Sequence, residues 1–137
     1  MEFTFGAMSA QDAESIAAWR YPAPYSFYDW TADPDDLAEL LDPQRRARWY
    51  HAVRDAQSDL VGFLSLREDR GTVQIGLGLR PDFTGQGHGL PFLRQALDFA
   101  RTHFAVTRFQ LSVATFNRRA IRVYERAGFL PGRTYLH

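Results

Sequence analysis

Three glycines alternate with other residues in Gly85-Gln86-Gly87-His88-Gly89, where a strand-like stretch passes into a helical one. Without side chains, the backbone at such positions can take positive φ angles and come close to a ligand. The first-turn N–H groups of the following helix have no partners within it, and the helix dipole adds partial positive charge. This segment predicts a cradle for a pyrophosphate, although three alternating glycines alone fit a plain glycine-rich turn equally well.

A second candidate is the pair Asn117 and Tyr124, which stand seven residues apart in a helical stretch. That spacing places both side chains on one helix face to within about 20°. The small Ala120 lies between them on the same face and leaves a groove in which a thin ligand arm could lie. Taken singly, Asn117 is also explained as a helix N-cap, and Tyr124 as a core aromatic residue with a satisfied hydroxyl.

The composition excludes several other kinds of site. All 16 basic residues are arginine, so a lysine-containing nucleotide-triphosphatase loop and Schiff-base chemistry are ruled out. The spacing Gly-x-Gly-x-Gly and the lack of an early βαβ unit disfavour a dinucleotide fold. The absence of cysteine removes thiolate nucleophiles, thiolate metal sites and disulfides. The four histidines are scattered, so no metal site is expected.

The elements that position these residues follow from periodicity and from capping signals. The predicted strands are Phe3 to Phe5, Trp49 to Arg54, Leu60 to Leu66, Thr72 to Leu79, Arg108 to Ala114 and an extended segment from Phe129 onward. The predicted helices follow caps at Ser9 and Asp33, begin after Gly89, and run from Arg118 to Ala127. Short turns join the early strands into an antiparallel meander, and the last third alternates strands with helices. This order predicts an α+β fold with a mixed, mostly antiparallel sheet and helices on both faces.

Length and charge limit the class of protein. The chain has 137 residues, which suits a single domain over residues 1–137. A formal net charge of zero argues against a nucleic-acid partner or a membrane surface. No stretch reaches the roughly 20 apolar residues that span a bilayer, and the first residues do not look like a signal peptide. A cytoplasmic location is therefore expected.

The two candidate segments together resemble the two acetyl-CoA motifs of the GNAT superfamily of N-acetyltransferases. The first resembles its strand end leading into Gly-x-Gly-x-Gly, and the second matches Asn-x-x-Ala-x-x-x-Tyr-x-x-x-Gly-Phe at every signature position. The resemblance extends from Leu77 to Phe129, a little over a third of the chain. It implies a sheet whose strands splay to admit coenzyme A, with acetyl-CoA as co-substrate and no metal. It also implies acetyl transfer to a primary amine by direct attack in a ternary complex.

The resemblance also implies a role for each residue at the matching positions. The backbone N–H of Leu79 would polarise the thioester carbonyl. Backbone amides across the glycine turn would hold the pyrophosphate, and these belong to Gly85, Gln86, Gly87, His88 and Gly89. Asn117 would hydrogen-bond the pantetheine arm, and Tyr124 would protonate the departing thiolate. A phenol with a pKa near 10 is a reasonable donor to a thiolate held close by.

The sequence departs from the family pattern in three places. Thr84 stands where the family usually has Arg or Gln before the first glycine, so one cofactor contact is missing and weaker cofactor binding is expected. The strand Thr72 to Leu79 carries no acid to act as general base. Glu68, Asp69, Asp29 and His51 remain candidates, as does a water chain or an amine that arrives neutral. The sequence stops before there is room for the family's usual seventh strand, which is either absent, supplied by another subunit or cut off. The edge of the sixth strand is therefore expected to be exposed or paired with a neighbour.

Aromatic residues crowd a proline-containing stretch from Trp19 to Trp30, the region that lines the acceptor pocket in this superfamily. Tyr25, Tyr28 and Asp29 are the candidate acceptor-binding residues, because rings and a carboxylate can receive an amine cation. The alternative is that the rings plug the end of the sheet. Arg45, Arg46 and Arg48 are interpreted as a solvated basic face. The partner is expected to be a small-molecule or protein amine, and the protein a monomer or homodimer.

Two other functions stay open at this point. One is a catalytically silent acyl-CoA-binding or regulatory domain of the same fold, which Thr84 and the strand without an acid favour. The other is a structural or interaction domain that binds no coenzyme A. The intact helix from Asn117 to Tyr124 favours the active enzyme over both.

Overall fold

The computed structural model describes residues 1–132 and 135–136. The strands are β1 (Thr4–Ala7), β2 (Tyr50–Arg54), β3 (Leu60–Asp69), β4 (Thr72–Leu79), β5 (Arg108–Leu111) and β6 (Tyr135–Leu136). The helices are α1 (Ala10–Ala17), α2 (Pro34–Leu41), α3 (Pro43–Trp49), α4 (Gly89–His103) and α5 (Arg118–Arg126). Two short 3₁₀ turns, Tyr25–Tyr28 and Trp30–Ala32, fill the connection between α1 and α2.

The strands form one sheet in the order β1-β2-β3-β4-β5-β6. Neighbouring strands are antiparallel throughout except for β4 and β5, which are parallel. The predicted mixed, mostly antiparallel sheet is therefore confirmed. The extended C-terminal segment is found at Tyr135–Leu136, and its residues 133, 134 and 137 lie outside the described residues. The expectation about a seventh strand stays a prediction.

Helices cover the two faces of the sheet. On one face α4 packs on a cluster whose largest fully buried side chains include Phe109, Phe129, Leu64 and Leu93. On the other face α1 and α2 cover a smaller cluster that contains Ile16, Leu40 and Tyr50. Burial of apolar side chains fixes the register of the central strands β2 to β5, because a slip of one residue would exchange the side chains that face the two clusters.

Capping signals in the sequence are borne out in the structure. Ser9 and Asp12 form a reciprocal capping box at the start of α1. The Asp33 carboxylate accepts hydrogen bonds from the N–H groups of Asp35 and Asp36, and Pro34 occupies the first turn of α2. These contacts satisfy N–H groups that would otherwise lack partners at the helix ends.

The segment after α2 differs from the sequence-based expectation. Pro43–Trp49 forms the unpredicted helix α3, capped by Asp42, so β2 begins at Tyr50 rather than at Trp49. Arg46 is buried and donates a hydrogen bond from Nη1 to the Leu40 carbonyl at 3.1 Å. The interpretation of all three arginines here as a solvated face was therefore wrong for Arg46, because this side chain satisfies a carbonyl at the end of α2.

Candidate active site

The parallel pairing of β4 and β5 stops early and opens a gap in the sheet. The paired residues are Thr72 with Arg108, Val73 with Phe109 and Gln74 with Gln110. β4 continues to Leu79 against β3, whereas β5 ends at Leu111. The expected strand to Ala114 was too long, because beyond Gln110 this segment no longer runs beside β4.

Alternate residues of β4 hydrogen-bond to β3, and this alternation determines which backbone groups face the gap. The Arg80 N–H donates to the Val61 carbonyl at 2.7 Å, so alternate residues of β4 bond to β3. The N–H and C=O groups of Leu77 and Leu79 therefore point the other way, into the gap. The Tyr21 hydroxyl donates to the Leu79 carbonyl at 2.6 Å. The Leu79 N–H is thus a backbone donor aimed at the place where the strands part.

The glycine turn leads directly from this strand end into α4. Gly85 and Gly87 have φ angles of +72° and +83°, which favour glycine. A Cβ at Gly87 would meet no atom within 4 Å, so open space lies against the backbone there. His88 is the N-cap of α4 but makes no capping hydrogen bond with its side chain. The first-turn N–H groups of this 15-residue helix are therefore free of side-chain caps, which fits an anionic ligand.

The side chains of the turn do not all face the gap. Gln86 Nε2 donates back to the Asp82 carbonyl, and the His88 ring lies 5.6 Å from the Phe83 ring. The Thr84 hydroxyl donates to the Pro81 carbonyl at 2.7 Å. At these three positions the sequence therefore offers backbone amides to a ligand, and the three side chains are held within the turn.

Helix α5 presents the asparagine–tyrosine face to the same gap. Asn117 Oδ1 accepts a hydrogen bond from the Ala120 N–H at 3.2 Å, so Asn117 is the N-cap of α5. Ala120 and Tyr124 also line the opening. Burial, with a smaller contribution from Tyr28, raises the pKa of Tyr124 to about 12. Tyr124 therefore carries its proton at neutral pH and can act as a donor.

Tyr28 joins the connection between α1 and α2 to the segment after β5 and to α5. Its hydroxyl accepts hydrogen bonds from the Ala114 N–H at 3.1 Å and from Asn117 Nδ2 at 3.3 Å. Its ring and that of Phe27 pack against Phe116, with ring centroids 5.9 Å and 5.8 Å away. Asn117 is thus the N-cap of α5 and its Nδ2 is bonded to Tyr28, while its contact with a pantetheine arm stays a prediction.

The segments just described line one continuous cleft of about 1120 Å³. It extends from the glycine turn, past the gap between β4 and β5, to the aromatic residues of the α1–α2 connection. The Phe63 ring lies over Gly78, where a Cβ would come within 2.5 Å of its Cε1 atom. The aromatic side of the cleft is therefore in direct contact with β4.

Tyr25, Tyr28 and Asp29 all line the cleft, as their sequence position suggested. Asp29 Oδ1 accepts a hydrogen bond from the Tyr21 N–H at 2.9 Å, so this carboxylate also shapes the loop. Trp30 packs 5.2 Å from Phe63 in the smaller core cluster. Some aromatic rings of this stretch therefore pack at the end of the sheet, as one interpretation held, and others border the cleft, as the other held.

Two acids of the cleft were missed as site residues. Asp33 and Asp36 line it, although the sequence indicated only a cap and a first-turn acid of α2. Partial burial, followed by the nearby Asp33 and Glu39 carboxylates, raises the pKa of Asp36. The Asp33-Pro34-Asp35-Asp36 run was the available signal, but only the fold brings it beside the cleft.

Of the four candidate general bases, the structure places one on the cleft and three away from it. Asp29 lies on the cleft, whereas Glu68 and Asp69 are exposed at the far end of β3, beside its turn into β4. The His51 ring lies 5.0 Å from Phe99 of α4, on the opposite face of the sheet from the connection between α1 and α2. Glu68, Asp69 and His51 were therefore wrong candidates, because the β3–β4 hairpin and the sheet itself keep them away from the gap.

Comparison with known proteins gives the family. Residues 3–130 match the family model of the acetyltransferase (GNAT) domain, so the chain belongs to this family. The resemblance seen in the sequence is thereby confirmed. Within the described residues no helix is both long enough and apolar enough to cross a membrane, and none of their His, Asp and Glu side chains form a group of three or more suited to a metal ion.

Two sequence relatives cover most of this chain but less of their own length. Spermidine N(1)-acetyltransferase of Vibrio cholerae is 26% identical over 85% of this chain and 66% of the relative. Mycothiol acetyltransferase of Propionibacterium freudenreichii is 32% identical over 90% of this chain and 34% of the relative. The chain therefore spans less than two-thirds of the length of either protein.

Solved structures agree on the fold. An aminoglycoside acetyltransferase in complex with coenzyme A superposes with a TM-score of 0.79 at 20% identity, covering 99% of this chain and 94% of that one. Spermidine N-acetyltransferase of Vibrio cholerae in complex with CoA and spermine gives 0.76 at 23% identity, covering 98% and 91%. At these identities the likeness establishes the fold alone.

His51 makes folding stability depend on pH. Burial, followed by the neighbouring His103, lowers the pKa of His51 below its ordinary 6.5. The unfolded chain then binds more protons in acid, so stability is full above the ordinary pKa and falls as pH drops below it. We expect the urea midpoint to fall between about pH 7.5 and pH 5.5, and to fall less in His51→Gln. The control His88→Gln should keep the wild-type dependence; an unchanged slope in His51→Gln would contradict this assignment.

Proposed function

We propose that this protein transfers an acetyl group from acetyl-CoA to a primary amine by direct attack. The observation that carries the proposal is the gap between β4 and β5, with a backbone donor on one side and a protonated phenol on the other. Family membership supports the same reaction. The chain covers less than two-thirds of its sequence relatives, so activity and acceptor are inferred from the site.

The residues present fit coenzyme A. The open space beside Gly87 and the uncapped first turn of α4 suit a pyrophosphate. Asn117 and Ala120 both line the cleft, and the second N–H of the Asn117 amide, beyond the one given to Tyr28, would bind a pantetheine arm beside the small Ala120 side chain. The bound thioester supplies the activated acetyl group, and the chain supplies hydrogen-bond donors.

Each side chain and backbone group has one task in this reaction. The Leu79 N–H stabilises negative charge as it develops on the acyl oxygen. The amine nitrogen, attacking in its neutral form, forms the new C–N bond while the C–S bond breaks, and the Tyr124 hydroxyl donates a proton to the departing sulfur. The proton that the amine nitrogen loses passes to water in the cleft, and the Tyr124 phenolate regains a proton from water. Because its pKa is raised to about 12, Tyr124 remains protonated until the thiolate forms.

The mouth of the cleft favours an acceptor with more than one positive charge. Asp29, Asp33 and Asp36 border it beside aromatic rings, and the nearby Arg67 is paired with Glu39. The three carboxylates and the rings attract ammonium groups by charge and by cation–π contact. The sequence relatives include an enzyme named for spermidine. We infer a polyamine-like acceptor, bound with one amine at Leu79 and a second cationic group near Asp36.

The central experiment separates binding from turnover. We expect acetyl-CoA at 100 times its dissociation constant to stabilise the protein by about 2.7 kcal/mol, measured by thermal melting. We expect an amine panel with free-thiol detection to show turnover, and Tyr124→Phe to lower it by up to about 10²–10⁴-fold while the melting shift is kept. Absence of any shift at millimolar acetyl-CoA would refute coenzyme A binding. A shift without thiol release from any amine would favour the catalytically silent domain, for which Thr84 is the supporting feature.

Asp36 provides a test of the acceptor. We expect Asp36→Asn to raise the KM for spermidine by roughly threefold to tenfold, because one nearby negative charge is lost, with little change for a monoamine. Asp35→Asn is the matched control, because Asp35 is an exposed acid in the same helical turn that does not line the cleft. Equal effects of the two substitutions would contradict a specific contact at Asp36.

A further inference from the structure

Arg119, in the first turn of α5, reaches across the cleft to the glycine turn. Its Nη1 atom lies 2.9 Å from the point where a Cβ at Gly85 would stand. Gly85 has a positive φ of +72° and lies in the segment whose backbone suits a pyrophosphate. A cationic side chain from a different element is thus in contact with the phosphate-binding part of the site.

The charge of Arg119 has no carboxylate partner among the ion pairs of the described residues. Arg80, which also lies near this turn, is paired with Asp82 at 2.7 Å. The guanidinium of Arg119 is instead held over the ring of Tyr25, 4.4 Å from its centroid. Stacking of this kind fixes the plane of the guanidinium and leaves its edge donors available to an anion.

Thr84 provides no cationic contact for a phosphate, and Arg119 lies where it can provide one. The Thr84 hydroxyl is turned into the loop, where it donates to the Pro81 carbonyl at 2.7 Å. It therefore offers no cation to a ligand in front of the turn. Arg119 brings a permanent positive charge to the same turn, from the opposite wall of the cleft.

We infer that Arg119 is a ligand of the coenzyme A pyrophosphate, supplying from α5 the cationic contact that Thr84 does not supply. This inference rests on the proposed function. Guanidinium and phosphate groups match in geometry and form charge-assisted hydrogen bonds. Tyr25 is the positioning residue, because its ring holds the guanidinium against the turn. The contact between Arg119 and Tyr25 therefore joins the cofactor-binding part of the cleft to the connection between α1 and α2.

The experiment measures binding by titration calorimetry, with coenzyme A and 3′-dephospho-coenzyme A as probes. We expect Arg119→Gln to weaken both probes by roughly tenfold, because both carry the pyrophosphate. Arg119→Lys should retain most of the affinity, since it keeps the charge. The matched control is Arg118→Gln, because Arg118 is the adjacent exposed arginine and does not line the cleft. We expect it to stay within about twofold of wild type, since a charge that does not line the cleft makes no direct phosphate contact and its long-range effect is screened by salt.

The role of Tyr25 is tested by a double-mutant cycle. We expect Tyr25→Leu to weaken coenzyme A binding in the wild-type background and to have no further effect in the Arg119→Gln background. If the two substitutions instead lower coenzyme A affinity additively, Tyr25 does not act by positioning Arg119.

Three results would overturn the inference in different ways. Equal affinity of wild type and Arg119→Gln for coenzyme A would refute the role of Arg119 and leave the proposed function intact. Weaker binding of coenzyme A but not of the dephospho form would assign Arg119 to the 3′-phosphate instead. A wild-type protein that binds neither probe would refute the proposed function itself, and the inference with it.

Discussion

The end of parallel pairing after Gln74 and Gln110 is the constraint on which the rest of the structure depends. A sheet normally satisfies the backbone groups of each strand through its neighbours, and buried groups without partners are costly. Beyond this point β4 keeps only β3 as a neighbour, so every second residue directs its N–H and C=O groups into the cleft. The glycine turn and α5 border the same opening, so backbone donors, helix N-terminus and phenol surround one space.

The connection between α1 and α2, to which we assign the acceptor, is attached to this opening at three points. Tyr21 bonds to the Leu79 carbonyl, Tyr28 to Asn117 and Ala114, and Tyr25 stacks with Arg119. Each contact joins the loop to a part of the chain that we assign to the cofactor. Small structural changes on one side of the cleft are therefore expected to shift residues on the other side, because packed and hydrogen-bonded contacts transmit strain.

Local signals in the sequence predicted much of this architecture. The caps at Ser9 and Asp33 depend on side chains within three residues, and the stripe of α4 follows helical periodicity. The resemblance of the glycine turn and α5 to paired motifs of the family also indicated that these segments would meet. The caps and the helical stripe were predictable because each is encoded in a short stretch of chain.

Features that arise from contacts between elements were not predictable, and one helix with a local start signal was missed as well. Helix α3 lacks an apolar stripe, and only its Asp42-Pro43 start repeats the signal seen at α2. The burial of Arg46 depends on a carbonyl at the end of another helix. The position of Asp36 on the cleft and the reach of Arg119 to Gly85 arise from packing between elements far apart in sequence.

The most direct test of this account is amide hydrogen exchange at Leu79, measured by NMR with and without saturating acetyl-CoA. The Arg80 amide serves as internal reference, because it is already bonded to the Val61 carbonyl. If the thioester lies in the gap, exchange at Leu79 slows when acetyl-CoA is bound while exchange at Arg80 changes little. Unchanged exchange at Leu79 in the saturated complex would contradict the assignment of this gap as the acetyl-transfer site.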